Sequence, residues 1–135
     1  MFKIKGKSNY DYLKKQLKKM HISLQEIEKN HIDLLHYSFH DYTIEEIKLT
    51  ENKLHMIFKK GWDIINNTTE KEIIFNNYKL IYGFENINSL KDFNWITHII
   101  NKVDDKYRIY IQISGISNTY DLLIIDCDSI ERVIL

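Results

Sequence analysis

The spacing of apolar residues changes once along this chain, close to residue 41. Before that point apolar positions recur every three or four residues, which places them on one side of a helix; beyond it they alternate, as they do along a strand. Such a chain is restricted to a helical layer followed by a sheet. The helical stripe consists of Tyr10, Leu13, Leu17, Met20, Leu24, Ile27, His31 and Leu34.

The helical stripe is interrupted by a start signal for a second helix. Ser23 followed by Glu26 matches a capping box, in which the serine hydroxyl accepts a hydrogen bond from a backbone N–H three residues on. The pattern predicts either one long helix with a kink near Ile22 or two helices, about 9–21 and 24–36. Packing of the stripe on the sheet is favoured over a coiled coil, and His31 is interpreted as a core or boundary residue.

The first strands are predicted as a hairpin with a turn at Glu51 and Asn52, where Asn52 would take a positive φ. A bulge at Glu45 and Glu46 brings Ile44 into phase with the strand. The turn then pairs apolar residues with each other, Leu49 with Leu54 and Ile47 with Met56.

The rest of the chain is predicted to form further strands. A bend is expected at Asn76 and Asn77. Residues 89–103 fit helix or strand, and a short helical turn near 89–93 followed by a strand is favoured. Residues 107–114 predict a strand with one solvent-facing side, 122–125 a strand buried on both faces, and 130–134 a final short strand. The fold class is therefore α+β. An N-terminal helix or helical hairpin (about 8–37) packs on a mainly antiparallel meander sheet (about 42–135), in a single domain spanning 1–135.

Composition excludes several functions. The 135 residues carry no net formal charge, which argues against nucleic acid as a partner, and no apolar run is long enough to span a membrane. The single cysteine and the lack of a signal peptide favour a cytoplasmic location. The four isolated glycines form no phosphate-binding loop, and no cofactor is expected.

Histidines are the main candidates for chemistry. His36 and His40 are four residues apart and could bind a metal together with Asp41 or Asp33 on a continuous helix, or His40 could act as a base oriented by Asp41. This small-enzyme hypothesis is the alternative; the favoured interpretation makes His40 and Asp41 a structural junction that satisfies backbone groups. Cys127 lies between two aspartates and is interpreted as a packing residue.

A helical N-terminus, the sequence Phe39-His40-Asp41-Tyr42 and then alternating strands resemble small bacterial proteins that include immunity proteins of contact-dependent or polymorphic toxin systems. The resemblance covers about residues 30–60, and beyond them only the order of strands. It implies a cytosolic protein that binds and blocks a cognate toxin domain, with no shared catalytic residues.

The preferred hypothesis is a non-enzymatic protein that occludes the active site of a partner. Charged side chains would give specificity and aromatic ones affinity. An acidic surface would suit a basic nuclease toxin and the lysine-rich first helix an acidic partner; the sequence leaves both open, and a homo-oligomer as well. The candidate binding residues are Trp62, Asp104, Asp105, Tyr110, Tyr120, Asp121, Asp126 and Asp128.

Overall fold

The structure, a computed structural model, describes residues 2–35, 42–59, 70–83, 90–115 and 120–134. Within these ranges two helices precede eight strands. The helices are α1 (Phe2–Lys19) and α2 (Leu24–Lys29). The strands are β1 (Tyr42–Leu49), β2 (Lys53–Phe58), β3 (Glu70–Asn76), β4 (Lys79–Tyr82), β5 (Asn94–Val103), β6 (Lys106–Ser114), β7 (Tyr120–Cys127) and β8 (Ser129–Ile134).

All eight strands form one antiparallel sheet in the order β4-β7-β6-β5-β1-β2-β3-β8. The sheet has two halves, β4-β7-β6-β5 and β1-β2-β3-β8. Two short bends carry the chain from one half to the other: β3 continues into β4 past Asn77, and β7 continues into β8 past Asp128. Strands that change sheets at bends form the corners of a sheet folded over on itself. The α+β class, with helices on an antiparallel sheet, is thus confirmed.

Two clusters of buried residues lie on the two faces of the sheet. The larger cluster takes side chains from both halves, including Ile44, Phe75, Trp95 and Leu123. The smaller cluster joins Leu13 and Leu17 of α1 and Ile27 of α2 to residues of β5, β6 and β7. The helices therefore cover the outer face of one half of the sheet. No helix in the described ranges is long and apolar enough to cross a membrane.

The predicted break between two helices is confirmed. The amide of Ile22 donates to the Leu17 carbonyl and that of His21 to the Lys18 carbonyl, the Schellman pattern, with His21 at a φ of 61°. The Ser23 hydroxyl caps α2 by accepting from the Glu26 amide at 3.3 Å.

The predicted boundaries of the helices were wrong at two ends. Helix α1 begins at Phe2, earlier than expected. Helix α2 ends at Lys29 and not at 36, because Asn30 caps the Glu26 carbonyl and Ile32 turns away to donate to the Ile100 carbonyl at 2.8 Å.

The hairpin prediction is confirmed in register, since Leu49 pairs with Leu54 and Ile47 with Met56, and the bulge falls between Ile44 and Glu46. Asn52, however, is not among the described residues with positive φ. The bend after Asn76, the turn before β5, the doubly buried β7 and the final strand are also confirmed.

The solvent-facing side predicted for residues 107–114 was wrong. Residues 109–114 are buried on both faces, and Gln112 has no exposed surface. The helices cover the polar side of β6, and this tertiary contact overrides the alternating pattern.

Candidate functional site

Four connections between strands meet at one end of the sheet, which we call the turn end. It comprises the β1–β2 turn at residues 50–52, the β3–β4 bend at residues 76–78, the β5–β6 turn at Asp104 and Asp105, and the β7–β8 bend at Asp128. The β1–β2 and β5–β6 connections are short because each joins two paired antiparallel strands, and the other two are bends at which one strand continues into the next. Asn77 and Asp104 adopt positive φ of 51° and 58°, which Asn and Asp tolerate better than other residues with a Cβ.

Hydrogen bonds tie three of these connections to one another. The Asn77 amide donates to the Asn52 carbonyl at 2.6 Å, and the Asp128 amide donates to the Asn76 carbonyl at 2.8 Å. The Asn77 side chain also donates to the Asp128 carboxylate at 2.8 Å. The turn end is therefore a cross-linked surface and not a set of independent loops.

Four of the predicted binding residues lie at or beside the turn end. Asp104 and Asp105 are exposed and have no hydrogen bond or ion pair with any described residue. Asp128 lies 3.8 Å from the Lys106 ammonium group. Asp126 accepts two hydrogen bonds from Arg108, at 2.7 and 2.8 Å, and this bidentate contact raises the pKa of the guanidinium.

The other predicted residues lie elsewhere. Tyr120 and Asp121 begin β7, about 20 Å along the strand from Asp126. Asp121 is half-buried, and burial raises the pKa of its carboxyl group. The Tyr110 ring is only 6% exposed and packs beneath the helices, where burial raises the pKa of its hydroxyl. Trp62 lies outside the described residues.

The residues of the enzyme hypothesis, His36, His40 and Asp41, also lie outside the described residues, and so does the structural junction assigned to His40 and Asp41. Within the described ranges no group of three His, Cys, Asp or Glu side chains could hold a metal ion. Cys127 is fully buried at the end of β7 as predicted. Burial, reinforced by Asp126 and Asp128, raises the pKa of its thiol to about 12.

A cluster of aromatic rings around His98 was not predicted from the sequence. The Trp95 indole donates to His98 Nδ1 at 3.1 Å, and the rings meet edge to face with centroids 5.4 Å apart. Residues three apart on a regular strand point to opposite faces, so the spacing of Trp95 and His98 does not indicate that they are in contact. A bulge between Trp95 and Thr97 brings both side chains to the same face.

A second imidazole lies beside His98. The His31 ring centroid is 6.1 Å from that of His98, and His31 Nδ1 accepts from the Ile100 amide at 3.0 Å. The His98 ring is also hydrogen-bonded to the backbone of Leu35. Burial, with the nearby His31, lowers the pKa of His98 from 6.5 to about 4.

No protein-family model, no curated protein and no solved structure matches this chain. The fold and the surface therefore define a class only: an α+β protein with a helical layer on an antiparallel sheet whose connections gather at one end.

Proposed function

We propose that this protein is a non-enzymatic binding protein that docks the turn end onto a protein partner. The observation that carries this proposal is the set of hydrogen bonds that lock the β1–β2, β3–β4 and β7–β8 connections together. A surface that is rigid before binding loses little conformational entropy on association, so more of its contact energy appears as affinity.

Charge supports the same surface. Asp104 and Asp105 project from a two-residue turn and are free to pair with cations of a partner. Exposed lysines lie among the acidic side chains, at Lys53, Lys102 and Lys106. A mixed pattern of charges favours one complementary partner over polyanions or polycations in general, because a mismatched surface juxtaposes like charges.

The finer part of this proposal concerns the partner. The resemblance of the sequence to toxin-immunity proteins suggests a toxin domain in the cytoplasm, whose active site the turn end would cover. Occlusion requires no catalytic group, only a stable complex of sufficient area, about 800 Å² on each partner. The acidic Asp104 and Asp105 favour a toxin with a basic active-site cleft, such as a nuclease.

The test is co-expression with a toxin-like protein encoded beside this chain. We expect a one-to-one complex on size exclusion and rescue of growth. The double variant Asp104→Lys/Asp105→Lys should weaken binding at least about 10-fold, since each reversal at a contact costs on the order of 1 kcal/mol.

The matched control is Glu45→Lys/Glu46→Lys, which makes the same change in charge at two exposed residues within β1. This control should retain affinity. Binding that both double variants retain, or that both lose equally, would remove the turn end from the interface. Failure of the wild-type protein to bind any such neighbour would contradict the toxin part of the proposal.

A further inference from the structure

Residues 31–35 connect the helical layer to the rest of the chain and are fastened to the edge of β5. The Ile32 amide donates to the Ile100 carbonyl at 2.8 Å. In return, the Ile100 amide donates to His31 Nδ1 at 3.0 Å. Strand β1 pairs with β5 only at Asn94 and Trp95, so the 31–35 segment covers a part of the β5 edge that β1 does not reach.

Two imidazoles lie at this contact, and both accept a hydrogen bond through Nδ1. The bond to His31 joins the 31–35 segment to β5, whereas the bond to His98 lies within β5. The donor to His31 is a backbone N–H and the donor to His98 is the Trp95 indole N–H; neither group can accept a hydrogen bond in exchange. The two rings must therefore carry a lone pair at Nδ1, and the neutral His98 has its proton on Nε2. Protonation would place an N–H at Nδ1 facing another N–H and would turn each attraction into a repulsion.

We propose that His31 and His98 form an acid-sensitive clamp that holds residues 31–35 on β5 at neutral pH and releases them when His98 is protonated. The geometry sets this direction, because a protonated His98 ring has no acceptor at Nδ1 for the Trp95 indole N–H that lies 3.1 Å away. Release would also free Leu35, whose side chain is buried in the larger cluster.

The charged groups around His98 agree with this assignment. Among the described residues, the titratable side chains that act on it are His31 and Asp33, both from the 31–35 segment. Burial and His31 oppose the protonated ring and prevail over the Leu35 backbone hydrogen bond and the Asp33 carboxylate, which favour it. The strand opposite β5, β6, contributes Ile111 at the paired position and no charge there.

The direction of the pH dependence follows from the lowered pKa of His98. The clamped state binds the proton less tightly than the open state, so the clamp is complete above pH 6.5 and is lost as the pH falls toward 4. With a His98 pKa of 6.5 in the open state and about 4 in the clamped state, the equilibrium constant for opening should rise about 100-fold between pH 7 and pH 4.

The experiment is native-state hydrogen exchange of the Ile32 and Ile100 amides, measured by NMR from pH 7 to pH 4 and corrected for intrinsic exchange. The Trp95 indole resonance is followed in the same samples, and Trp62→Phe distinguishes it from the second indole. We expect the opening constant of both amides to rise about 100-fold and the indole resonance to shift with a midpoint near pH 4.

Two variants separate the clamp from general acid sensitivity. In His98→Asn the amide oxygen can accept in place of Nδ1 but does not titrate, so the pH dependence of opening should flatten. His31→Asn keeps an acceptor for the Ile100 amide and removes one cause of the lowered His98 pKa, so the pH dependence should become smaller but remain. His21→Asn, at the exposed end of α1, is the matched control and should leave the pH dependence unchanged. If either clamp variant fails to fold, the midpoint of the pH titration in the wild-type protein, followed at the Trp95 indole, still tests the inference. A midpoint near 6.5 without a change at Trp95, or undiminished pH dependence in the clamp variants, would overturn the inference.

Discussion

Gln112 lies in the middle of β6 with no exposed surface, and neither its amide nitrogen nor its carbonyl oxygen has a hydrogen-bond partner among the described residues. A buried amide in this condition has lost its hydrogen bonds to water without replacement. We predict that Gln112→Leu, which keeps a similar volume, stabilises the protein by about 1–2 kcal/mol in urea unfolding.

Gln25 on the exposed side of α2 is the matched control. Gln25→Leu should change the free energy of unfolding by less than about 0.5 kcal/mol. A Gln112→Leu protein that is less stable than the wild type would mean that the amide makes a hydrogen bond that leucine cannot replace.

Cys127 gives a second prediction for a single residue. Its thiol is fully buried and its pKa is raised to about 12, so at pH 8 almost no thiolate is present or accessible. We expect no reaction with a disulfide reagent in the native protein over minutes, and complete reaction within seconds in denaturant. Rapid reaction under native conditions would show that the end of β7 opens locally.

At the scale of secondary-structure elements, the end of α1 depends on His21, which adopts a φ of 61° in the Schellman motif. Glycine reaches this conformation without the steric cost of a Cβ. We predict that His21→Gly raises the free energy of unfolding by about 0.5–1 kcal/mol. Lys18→Gly, still inside the helix, should instead lower it by about 1 kcal/mol, and thermal unfolding followed by circular dichroism compares the two.

The bulge in β1 allows a test of register. Glu45 is the extra residue between Ile44 and Glu46, and it lets Tyr42 and Ile44 face the core together with Ile47. Deleting Glu45 would remove the bulge and leave Ile44 two positions from Ile47, so the alternation of a regular strand would keep Tyr42 and Ile44 facing the core. We expect the deletion protein to keep cooperative urea unfolding and the pairing of Ile47 with Met56, and Glu45→Gly, which keeps the residue count, should cost less than about 1 kcal/mol. A deletion protein that does not unfold cooperatively would show that the local bend of the bulge is itself required, and not only the facing of Tyr42 and Ile44.

These elements also show what the sequence could predict. The β1–β2 hairpin was predicted in register because its pattern is local: alternation, a two-residue turn and one bulge. The burial of the polar side of β6 could not be predicted, since it depends on tertiary packing such as that of the helices over Tyr110. The pair of Trp95 and His98 depends on a bulge that the apolar pattern does not mark. The turn end depends on two distant bends, after Asn76 and at Asp128, meeting through hydrogen bonds.

At the scale of the whole molecule, the two clusters suggest two levels of stability. The larger cluster joins both halves of the sheet, so its loss should unfold the protein. The smaller one attaches the helices, among the side chains described from residue 11 onward, through the buried Leu13, Leu17 and Ile27. Regions with few buried contacts open at a lower free-energy cost than the core. We therefore expect the helical layer to open while the sheet stays folded.

Native-state hydrogen exchange on two core variants tests this order of opening. Phe75→Leu weakens the larger cluster by about 1–2 kcal/mol. If the helices open on their own, this variant should lower the protection of β6 amides and leave that of α1 amides unchanged, because the intact sheet is present before and after the opening. Leu17→Val is the counterpart. It destabilises only the state in which the helices are packed on the sheet, from which both kinds of opening start, so it should lower protection in α1 and in β6 alike. Equal loss of protection in α1 and β6 in the Phe75→Leu protein would mean that the helices leave the sheet only through complete unfolding, and that the molecule has a single level of stability.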